Sequence, residues 1–364
     1  MVHRALLVGA GGMGHAWLKT MASQERVALA GVVDIDGVRA VTAAQEFGDG
    51  SATGFTDVAE AIRATSPDLL IDVADPTSHH PVTTTALRAG VPVIGEKPAT
   101  ATLAQAIELA ALSRLTGVPF VVSQNRRYEP NAGNAVAAVA AIGQPELVTA
   151  TFALGAHFGG FRAEMESPLL YDMSIHHLDY LRYLMGAIDP VQAQVAEVSC
   201  DEFSASWNWF KGAASCAITL RFVSGTYATY TGSWCSVGLN TSWNADSRVS
   251  GPHGTVLWDG VNEPQVEVID DFAGVPARPV VTATGLAASL AGFLDHLDGG
   301  PAPTTVIADN LQSLALVFAA MESSRTGVRV SVPGLIDKAR EVAEAATTDG
   351  ELARQISDLD LAAA

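Results

Sequence analysis

Short apolar runs alternate with longer amphipathic segments over residues 1–124. The runs are rich in Val, Ile and Leu, and the predicted strands are Arg4–Gly9, Val27–Asp34, Asp68–Ala74, Val91–Glu96 and Pro119–Gln124. The segments between them are long enough for helices, and the predicted helices are Met13–Ser23, Gly37–Phe47, Asp57–Ala64, Ser78–Ala89 and Thr102–Thr116. This alternation predicts a doubly wound domain, in which helices cover both faces of a parallel sheet.

Beyond residue 124 strands follow one another without helices between them. These predicted strands are Val191–Cys200, Ala214–Val223, Thr226–Ser236, Ser247–Ser250, Thr255–Trp258 and Gln265–Ile269. Their turns carry Gly, Asn, Asp and Pro, which is typical of a mainly antiparallel sheet. Helices are predicted at Asn131–Ile142, Gly285–Leu297 and Thr304–Thr326. We therefore expect an α+β domain over residues 125–332 and a helical tail over residues 333–364.

Composition narrows the class of protein. Hydrophobic residues make up 48% of the 364 positions and charged residues 16%, which indicates a folded globular protein. The formal charge of −18 argues against nucleic acid and anionic membranes as partners. Three cysteines without C-x-x-C spacing predict reduced thiols and no zinc site. The chain has no signal segment before its first strand and no apolar stretch of about 20 residues, so we expect a cytoplasmic protein.

The segment "GAGGMG" follows the first predicted strand and opens the first predicted helix. Gly9, Gly11 and Gly14 have the G-x-G-x-x-G spacing that predicts dinucleotide binding in this context. Gly9 permits the tight turn, Gly11 lets the backbone approach a pyrophosphate, and Gly14 allows close packing of helix on sheet. Gly12 and Met13 complete the loop, whose N–H groups face the phosphates.

Asp34 ends the second predicted strand, twenty residues after Gly14. Its carboxylate can accept hydrogen bonds from ribose hydroxyls and would repel a 2′-phosphate, so NAD is favoured over NADP. Ile35 follows it and is included in the predicted cofactor site, whereas Asp36 fits a turn. Arg39 is a nearby cation that leaves some use of NADP open.

Two further segments follow predicted strands. In "GEKPA", Lys97 is expected to point towards the nicotinamide, with Glu96 beside it, because ligands bind at the carboxyl ends of the strands. A partly desolvated lysine there can bind a substrate oxygen and take part in proton transfer, although a surface lysine in a loop fits equally well. In "DPTSHH", Asp75 and Pro76 border the cofactor, and His80 either approaches the nicotinamide ribose or caps a helix.

The segment "YDMSIHHLDY" (171–180) carries paired histidines. At about 100° per helical residue, Asp172, His176, Asp179 and Tyr183 share one stripe, and His177 points elsewhere. A neutral imidazole can accept the proton of a hydroxyl while hydride leaves the same carbon. A solvated helix face and a metal site are the alternatives. Hydride transfer needs no metal, so none is predicted.

These motifs, in this order and spacing, resemble the Gfo/Idh/MocA oxidoreductase family over roughly Arg4 to Val332. The resemblance implies active-site roles for Lys97 in "GEKPAT" and for Asp172 and His176 in "DMSIHHLD", with Asp179 in support. "NRRYEP" and "GPHGTV" are similar to weaker family patterns, and the first adds Arg127 and Tyr128 to the expected substrate contacts.

The resemblance also implies a fold and an activity. The fold is a Rossmann domain followed by a domain whose large open sheet forms a homodimer or homotetramer. The activity is hydride transfer between NAD and a secondary hydroxyl of a sugar, inositol or related polyol. NAD-dependent glycoside hydrolysis and a non-catalytic sugar sensor are the alternatives, and the retained Lys97, Asp172 and His176 argue against the sensor. Asp75, Met173, Ser174 and His177 depart from the usual pattern and leave the substrate open.

Overall fold

The computed structural model describes residues 1–269 and 283–360. The strands of its first sheet are β1 (His3–Val8), β2 (Val27–Val33), β3 (Thr53–Phe55), β4 (Leu69–Asp72), β5 (Val93–Gly95) and β6 (Phe120–Val122). They are all parallel and lie in the order β3-β2-β1-β4-β5-β6. The connecting helices are α1 (Gly12–Ala22), α2 (Gly37–Phe47), α3 (Val58–Thr65), α4 (His79–Arg88) and α5 (Leu103–Thr116). The doubly wound domain is confirmed. Only β3 is absent from the predicted strands, because its three residues, TGF, are too few to show a pattern.

The strand order reverses at β1, which pairs with β2 on one side and β4 on the other. In open parallel sheets a ligand crevice forms at such a point, outside the carboxyl ends of the strands. Gly9, Asp34, Asp75, Glu96 and Gln124 all lie just beyond strand ends on that edge. The fold therefore brings the separate predicted motifs to one crevice.

The strands of the second sheet are β7 (Leu147–Ala153), β8 (Val195–Phe203), β9 (Ser215–Phe222), β10 (Tyr227–Ser233), β11 (Asp246–Gly251), β12 (Gly254–Trp258), β13 (Gln265–Val268) and β14 (Val330–Ser331). Their order is β13-β12-β11-β7-β10-β9-β8-β14. The pair β7–β10 is parallel and the other pairs are antiparallel, which confirms the mainly antiparallel sheet. β7 and β14 are absent from the predicted strands: β7 is rich in Thr and Ala, and β14 has two residues.

The helices of the second part are α6 (Ala132–Ala140), α7 (Phe161–Glu164), α8 (Ile175–Met185), α9 (Gly285–Leu297), α10 (Ile307–Thr326), α11 (Val332–Ala346) and α12 (Gly350–Ser357). Residues Leu169–Ser174, just before α8, form a π-helical turn. A short 3-10 helix, Pro190–Ala193, replaces the start of the strand predicted at Val191–Cys200. Pro190 explains this difference, since proline fixes φ in a helical range and donates no ladder hydrogen bond.

Alternate residues of the first sheet pack into two separate cores. Leu6 and Leu70 face α3, α4 and α5, whereas Leu7 and Ile71 face α1 and α2. The second core is completed by α9, whose buried side chains are Leu290, Phe293 and Leu294. α9 lies about 160 residues after β6 in the chain, yet it covers part of the first sheet.

One face of the second sheet lies against α8 and α10, and among the described residues no helix covers its other face. Val148, Ala150 and Phe152 of β7 are buried, while the alternate Thr149 and Thr151 are exposed. The open face carries few large apolar side chains; Leu147 (50% exposed) and Leu257 (39% exposed) are two of them. The aromatic residues of these strands, such as Tyr230 and Trp258, point into the core instead. Within the described residues, no helix is both long enough and apolar enough to cross a membrane.

Candidate active site

The glycine loop between β1 and α1 is shaped as a cradle. Gly9 has φ of +99°, and a Cβ at this position would collide with the carbonyl of Val73. A Cβ on Gly14 would collide with the carbonyl oxygen of Gly9. Gly11 and Gly12 instead face open space, and no side chain caps α1. The first N–H groups of α1 are therefore free to bind phosphate oxygens, which helix N-termini favour electrostatically.

Asp34 ties this cradle to β2. Its Oδ2 accepts a hydrogen bond from the N–H of Ala10 (2.8 Å), and its Oδ1 accepts one from the N–H of Asp36 (2.9 Å). The Nε of Arg39 also donates to Oδ1, at 3.2 Å. The adjacent Ile35 side chain is 95% exposed. The structure thus brings Arg39 directly onto the carboxylate that is predicted to bind the ribose.

We expect Asp34→Ala to weaken NAD binding by roughly 10- to 150-fold, since a charge-assisted hydrogen bond contributes about 1.5–3 kcal/mol. The substitution also releases Arg39, whose cation would then be available to a 2′-phosphate, so NADP should lose much less affinity or gain some. Fluorescence titration of both cofactors measures the two changes. A wild-type protein that already prefers NADP would contradict the role given to Asp34.

The other predicted cofactor residues lie at the same edge. Asp75 Oδ1 accepts hydrogen bonds from the N–H and the hydroxyl of Thr77, which makes a tight turn after β4 with Pro76 inside it. His80 Nε2 donates to Glu108 Oε2 at 3.1 Å, so its ring is engaged by α5. Nothing in these contacts joins His80 to a nicotinamide ribose, and that role stays a prediction.

Gln124 is a further candidate that sequence reasoning did not select. It lies two residues beyond β6 and is fully buried, yet neither atom of its amide group has a hydrogen-bond partner among the described residues. Buried amides without partners are rare in folded proteins. A ligand in the crevice would supply the missing partners. The available signal was a polar residue that ends the apolar run "PFVVSQ".

The side chain of Glu96 is buried beneath the crevice at the carboxyl ends of the strands. Its Oε1 accepts from Trp17 Nε1 (2.8 Å) and its Oε2 from the N–H of Lys97 (3.2 Å). Burial raises the pKa of Glu96, although Lys97 partly opposes the shift. Glu96 therefore fixes the backbone from which Lys97 projects.

Lys97, Asp172 and Arg162 form a compact group of charges. Lys97 Nζ donates to Asp172 Oδ1 at 2.7 Å and to the carbonyl oxygen of Asp172 at 2.9 Å. Arg162 Nε donates to Asp172 Oδ2 at 2.5 Å. Burial pushes the pKa of Asp172 up, but the two cations outweigh burial and hold it below its ordinary value. Asp172 is therefore an oriented carboxylate. Sequence reasoning missed Arg162, because only the fold brings it to Asp172.

His176 lies buried beside this group. Burial, followed by the positive charges of Lys97 and Arg126, holds the pKa of His176 well below its ordinary value. Its Nδ1 has no hydrogen-bond partner among the described residues. The imidazole is therefore neutral near pH 7, and a neutral imidazole has one nitrogen that does not carry a proton.

Asp172 and Asp179 do not share one site, although helix spacing predicts a common stripe. The π-helical turn Leu169–Ser174 changes the angular spacing before α8 begins. Asp179 instead accepts from Arg127 Nε (2.8 Å) and Nη2 (2.7 Å). Arg127 also contacts Asp309, and its charge is neutralised within this buried cluster. Tyr128 is largely buried, and burial raises the pKa of its hydroxyl. The substrate contacts predicted for Arg127 and Tyr128 stay predictions.

His177 points away from Asp172 and into the second sheet. Its Nε2 donates to the carbonyl oxygen of Trp243 (3.0 Å), so its Nδ1 accepts from the hydroxyl of Tyr230 (2.8 Å). Burial lowers the pKa of His177 to about 4. This side chain is a packed core histidine. Among the described residues, no group of three or more His, Cys, Asp or Glu side chains is arranged to hold a metal ion.

A phosphate cradle lies on the same crevice as an ionised carboxylate and a neutral imidazole, as a hydride transfer between alcohol and nicotinamide requires. Fold and site together define the class as dinucleotide-dependent oxidoreductases. Two family models agree: an oxidoreductase family with an NAD-binding Rossmann fold matches residues 3–124, and the GFO/IDH/MocA C-terminal domain matches residues 134–257. The chain belongs to the Gfo/Idh/MocA oxidoreductase family, and its cofactor is NAD.

Individual relatives carry more specific names. The chain is 28% identical over 360 residues to D-apiose dehydrogenase of Paraburkholderia graminis, and the alignment covers 93% of this chain and 91% of the relative. It is 28% identical over 188 residues to inositol 2-dehydrogenase of Corynebacterium glutamicum, and that alignment covers 50% of this chain and 54% of the relative. An oxidoreductase from Agrobacterium radiobacter, solved with NAD+, L-tartaric acid and magnesium, superimposes with a TM-score of 0.79 at 21% identity, covering 92% of this chain and 100% of that one.

Proposed function

We propose that the protein oxidises a secondary hydroxyl of a sugar, inositol or related polyol with NAD, or catalyses the reverse reduction. The observation that carries this proposal is the oriented group of Lys97, Asp172 and neutral His176 beside the glycine cradle. The relatives named D-apiose dehydrogenase and inositol 2-dehydrogenase support the substrate class.

Each residue of this group has a role that its contacts support. His176 accepts the hydroxyl proton as the carbon–hydrogen bond breaks, because burial and the nearby charge of Lys97 keep its imidazole neutral. Lys97 stabilises the negative charge that develops on the substrate oxygen. Asp172 binds a neighbouring hydroxyl and holds the Lys97 ammonium in place. NAD, when bound, would supply the hydride acceptor, and the cradle residues Gly9–Gly14 would hold its pyrophosphate.

We further propose a division of labour along the chain. Residues 1–124 bind the cofactor, residues 125–332 bind the substrate and form the contacts between subunits, and residues 333–364 are a helical tail. The three cysteines are buried and unpaired, which supports the proposed cytoplasmic location.

The decisive experiment is a screen of sugars, inositols and sugar acids with NAD and NADP in parallel, followed by NADH absorbance. Stoichiometric NADH from a free polyol supports the proposal. A glycoside cleaved without net NADH would favour NAD-dependent glycoside hydrolysis instead. Sugar binding without either reaction would favour a sensor.

The proposed assembly is a homodimer or homotetramer through the open face of the second sheet. Light scattering at micromolar protein is expected to give two or four times the monomer mass, 37.8 kDa. Leu257→Asp on that face should shift the protein towards monomer, because it places a charge in the interface. A wild-type monomer at this concentration would contradict the proposal.

A further inference from the structure

Among the described residues, only one nitrogen of the Arg162 guanidinium donates a hydrogen bond. Its Nε donates to Asp172, but within residues 1–269 and 283–360 neither terminal nitrogen has a hydrogen-bond partner. The group lies over the rings of Phe161 (4.7 Å) and Phe158 (5.5 Å), which fix its plane. The side chain is 30% exposed. Its two terminal nitrogens are therefore available, and pre-oriented, next to the carboxylate of the active site.

A second arginine, Arg126, is connected to Arg162 through the aromatic residues next to Asn244. Arg126 Nη1 donates to Asn244 (3.1 Å), and its Nε is buried with no partner among the described residues. The residue before Asn244, Trp243, packs against Phe158 with the rings tilted by 36° and their centroids 5.9 Å apart. The loop at residues 243–244 thus links the surroundings of both arginines.

Two cations, Lys97 and Arg162, share the carboxylate of Asp172. Arg126 Nη1 is 3.8 Å from Glu129, too far for a hydrogen bond. The carboxyl group of Glu96 also interacts with Lys97, but burial raises its pKa. Partly buried cations that lack partners are costly, and a ligand anion would remove that cost.

We propose that the substrate carries an oxyanion, a carboxylate or a phosphate ester, which binds the terminal nitrogens of Arg162 next to Asp172. A planar guanidinium matches two oxygens of such a group, and neutral hydroxyls do not offer this geometry. The inference rests on the proposed polyol oxidation and narrows its substrates to sugar acids or sugar phosphates. Arg126 contributes long-range attraction.

The test compares matched substrates in wild type and Arg162→Gln. Each set contains a neutral sugar, its uronic acid and its phosphate ester, for example glucose, glucuronate and glucose 6-phosphate, and galactose with its equivalents. In at least one set, the anionic member should have kcat/KM about 10-fold or more above the neutral parent, since hydrogen bonds to charged groups are the strong ones. Arg162→Gln should abolish that ratio, whatever it does to activity as a whole. A comparison of the uronic acid with the phosphate ester in each set identifies which oxyanion is bound.

Arg63→Gln is the matched control, because Arg63 is exposed on α3 and its loss changes the net charge equally. It should keep the wild-type ratio. A neutral sugar preferred in every set, or a ratio that survives in Arg162→Gln, overturns the inference.

Calorimetric titration of the same anions into the protein with NADH separates this inference from the proposed function. Anion binding that Arg162→Gln weakens, without turnover of any polyol, would leave the anion site standing and the proposed activity wrong. Turnover of neutral polyols alone, without anion binding, would support the proposed activity and overturn the anion site.

Discussion

Lys97→Met is expected to lower kcat for polyol oxidation by about 10²–10³-fold, the range for loss of a group that stabilises charge on a reacting oxygen. Lys97 Nζ contacts Asp172 and also lowers the pKa of His176, so its loss disorders the carboxylate and raises the pKa of the imidazole. In the pH profile of the residual activity, the fall in rate on the acid side should therefore occur at higher pH. NAD affinity should change little, since Lys97 lies outside the glycine cradle. Steady-state rates across pH, with a separate cofactor titration, measure these effects.

Lys19→Met is the matched control for this substitution. Lys19 is exposed at the end of α1, and the variant should keep wild-type rates and pH dependence. Unchanged turnover in Lys97→Met would show that Lys97 is a loop lysine with no part in the chemistry.

His176→Gln is expected to cost about 10²–10⁴-fold in alcohol oxidation, because glutamine cannot accept the proton. The wild-type pH profile should also differ from that of an ordinary histidine. An ordinary histidine has a pKa near 6.5. Burial, followed by the positive charges of Lys97 and Arg126, holds the pKa of His176 well below that value. The neutral form is the active one, so activity is full above the lowered pKa and is lost as pH falls through it. Between pH 6.5 and 8 this group should cause no change in kcat/KM.

His177→Gln serves as the control on the neighbouring position. Its imidazole binds Tyr230 and Trp243 in the core, so the variant should lose stability to urea but keep the wild-type pH profile of kcat/KM. Equal losses of turnover in the two variants would contradict the separation of roles that α8 imposes. A wild-type acid limb centred at 6.5 would contradict the lowered pKa of His176.

The alternation of apolar runs predicted the first sheet well because parallel strands are buried on both faces and read as continuous apolar segments. β3 and β14 escaped prediction because two or three residues cannot show a period. β7 escaped because its Thr and Ala side chains are small, and its partner in the parallel pair, β10, is distant in sequence. Strand order depends on such long-range pairing and cannot be obtained from local periodicity.

Sequence reasoning about the site is strongest where one motif carries the information and incomplete where several elements meet. The spacing of Gly9, Gly11 and Gly14 was enough to predict a cradle that the geometry supports. The ion pairs of Asp172 with Arg162, and of Asp34 with Arg39, depend on how loops and helices pack. The π-helical turn before α8 broke the stripe on which Asp172 and Asp179 were placed, since a uniform 100° step no longer applies.

The position of α9 in the chain has a consequence for the order of events during synthesis. Residues 1–124 contain every strand of the first sheet, yet Leu290, Phe293 and Leu294 complete one of its cores. At 5–20 residues per second, the ribosome needs roughly 9–35 s to proceed from residue 124 to residue 297. During that interval the face that α9 covers, which includes Leu7, Trp17 and Ile71 in its core, lacks part of its cover. The nascent chain is therefore expected to present an apolar surface to chaperones for many seconds, and residues 1–124 reach their final packing only after residues 125–297 have been made.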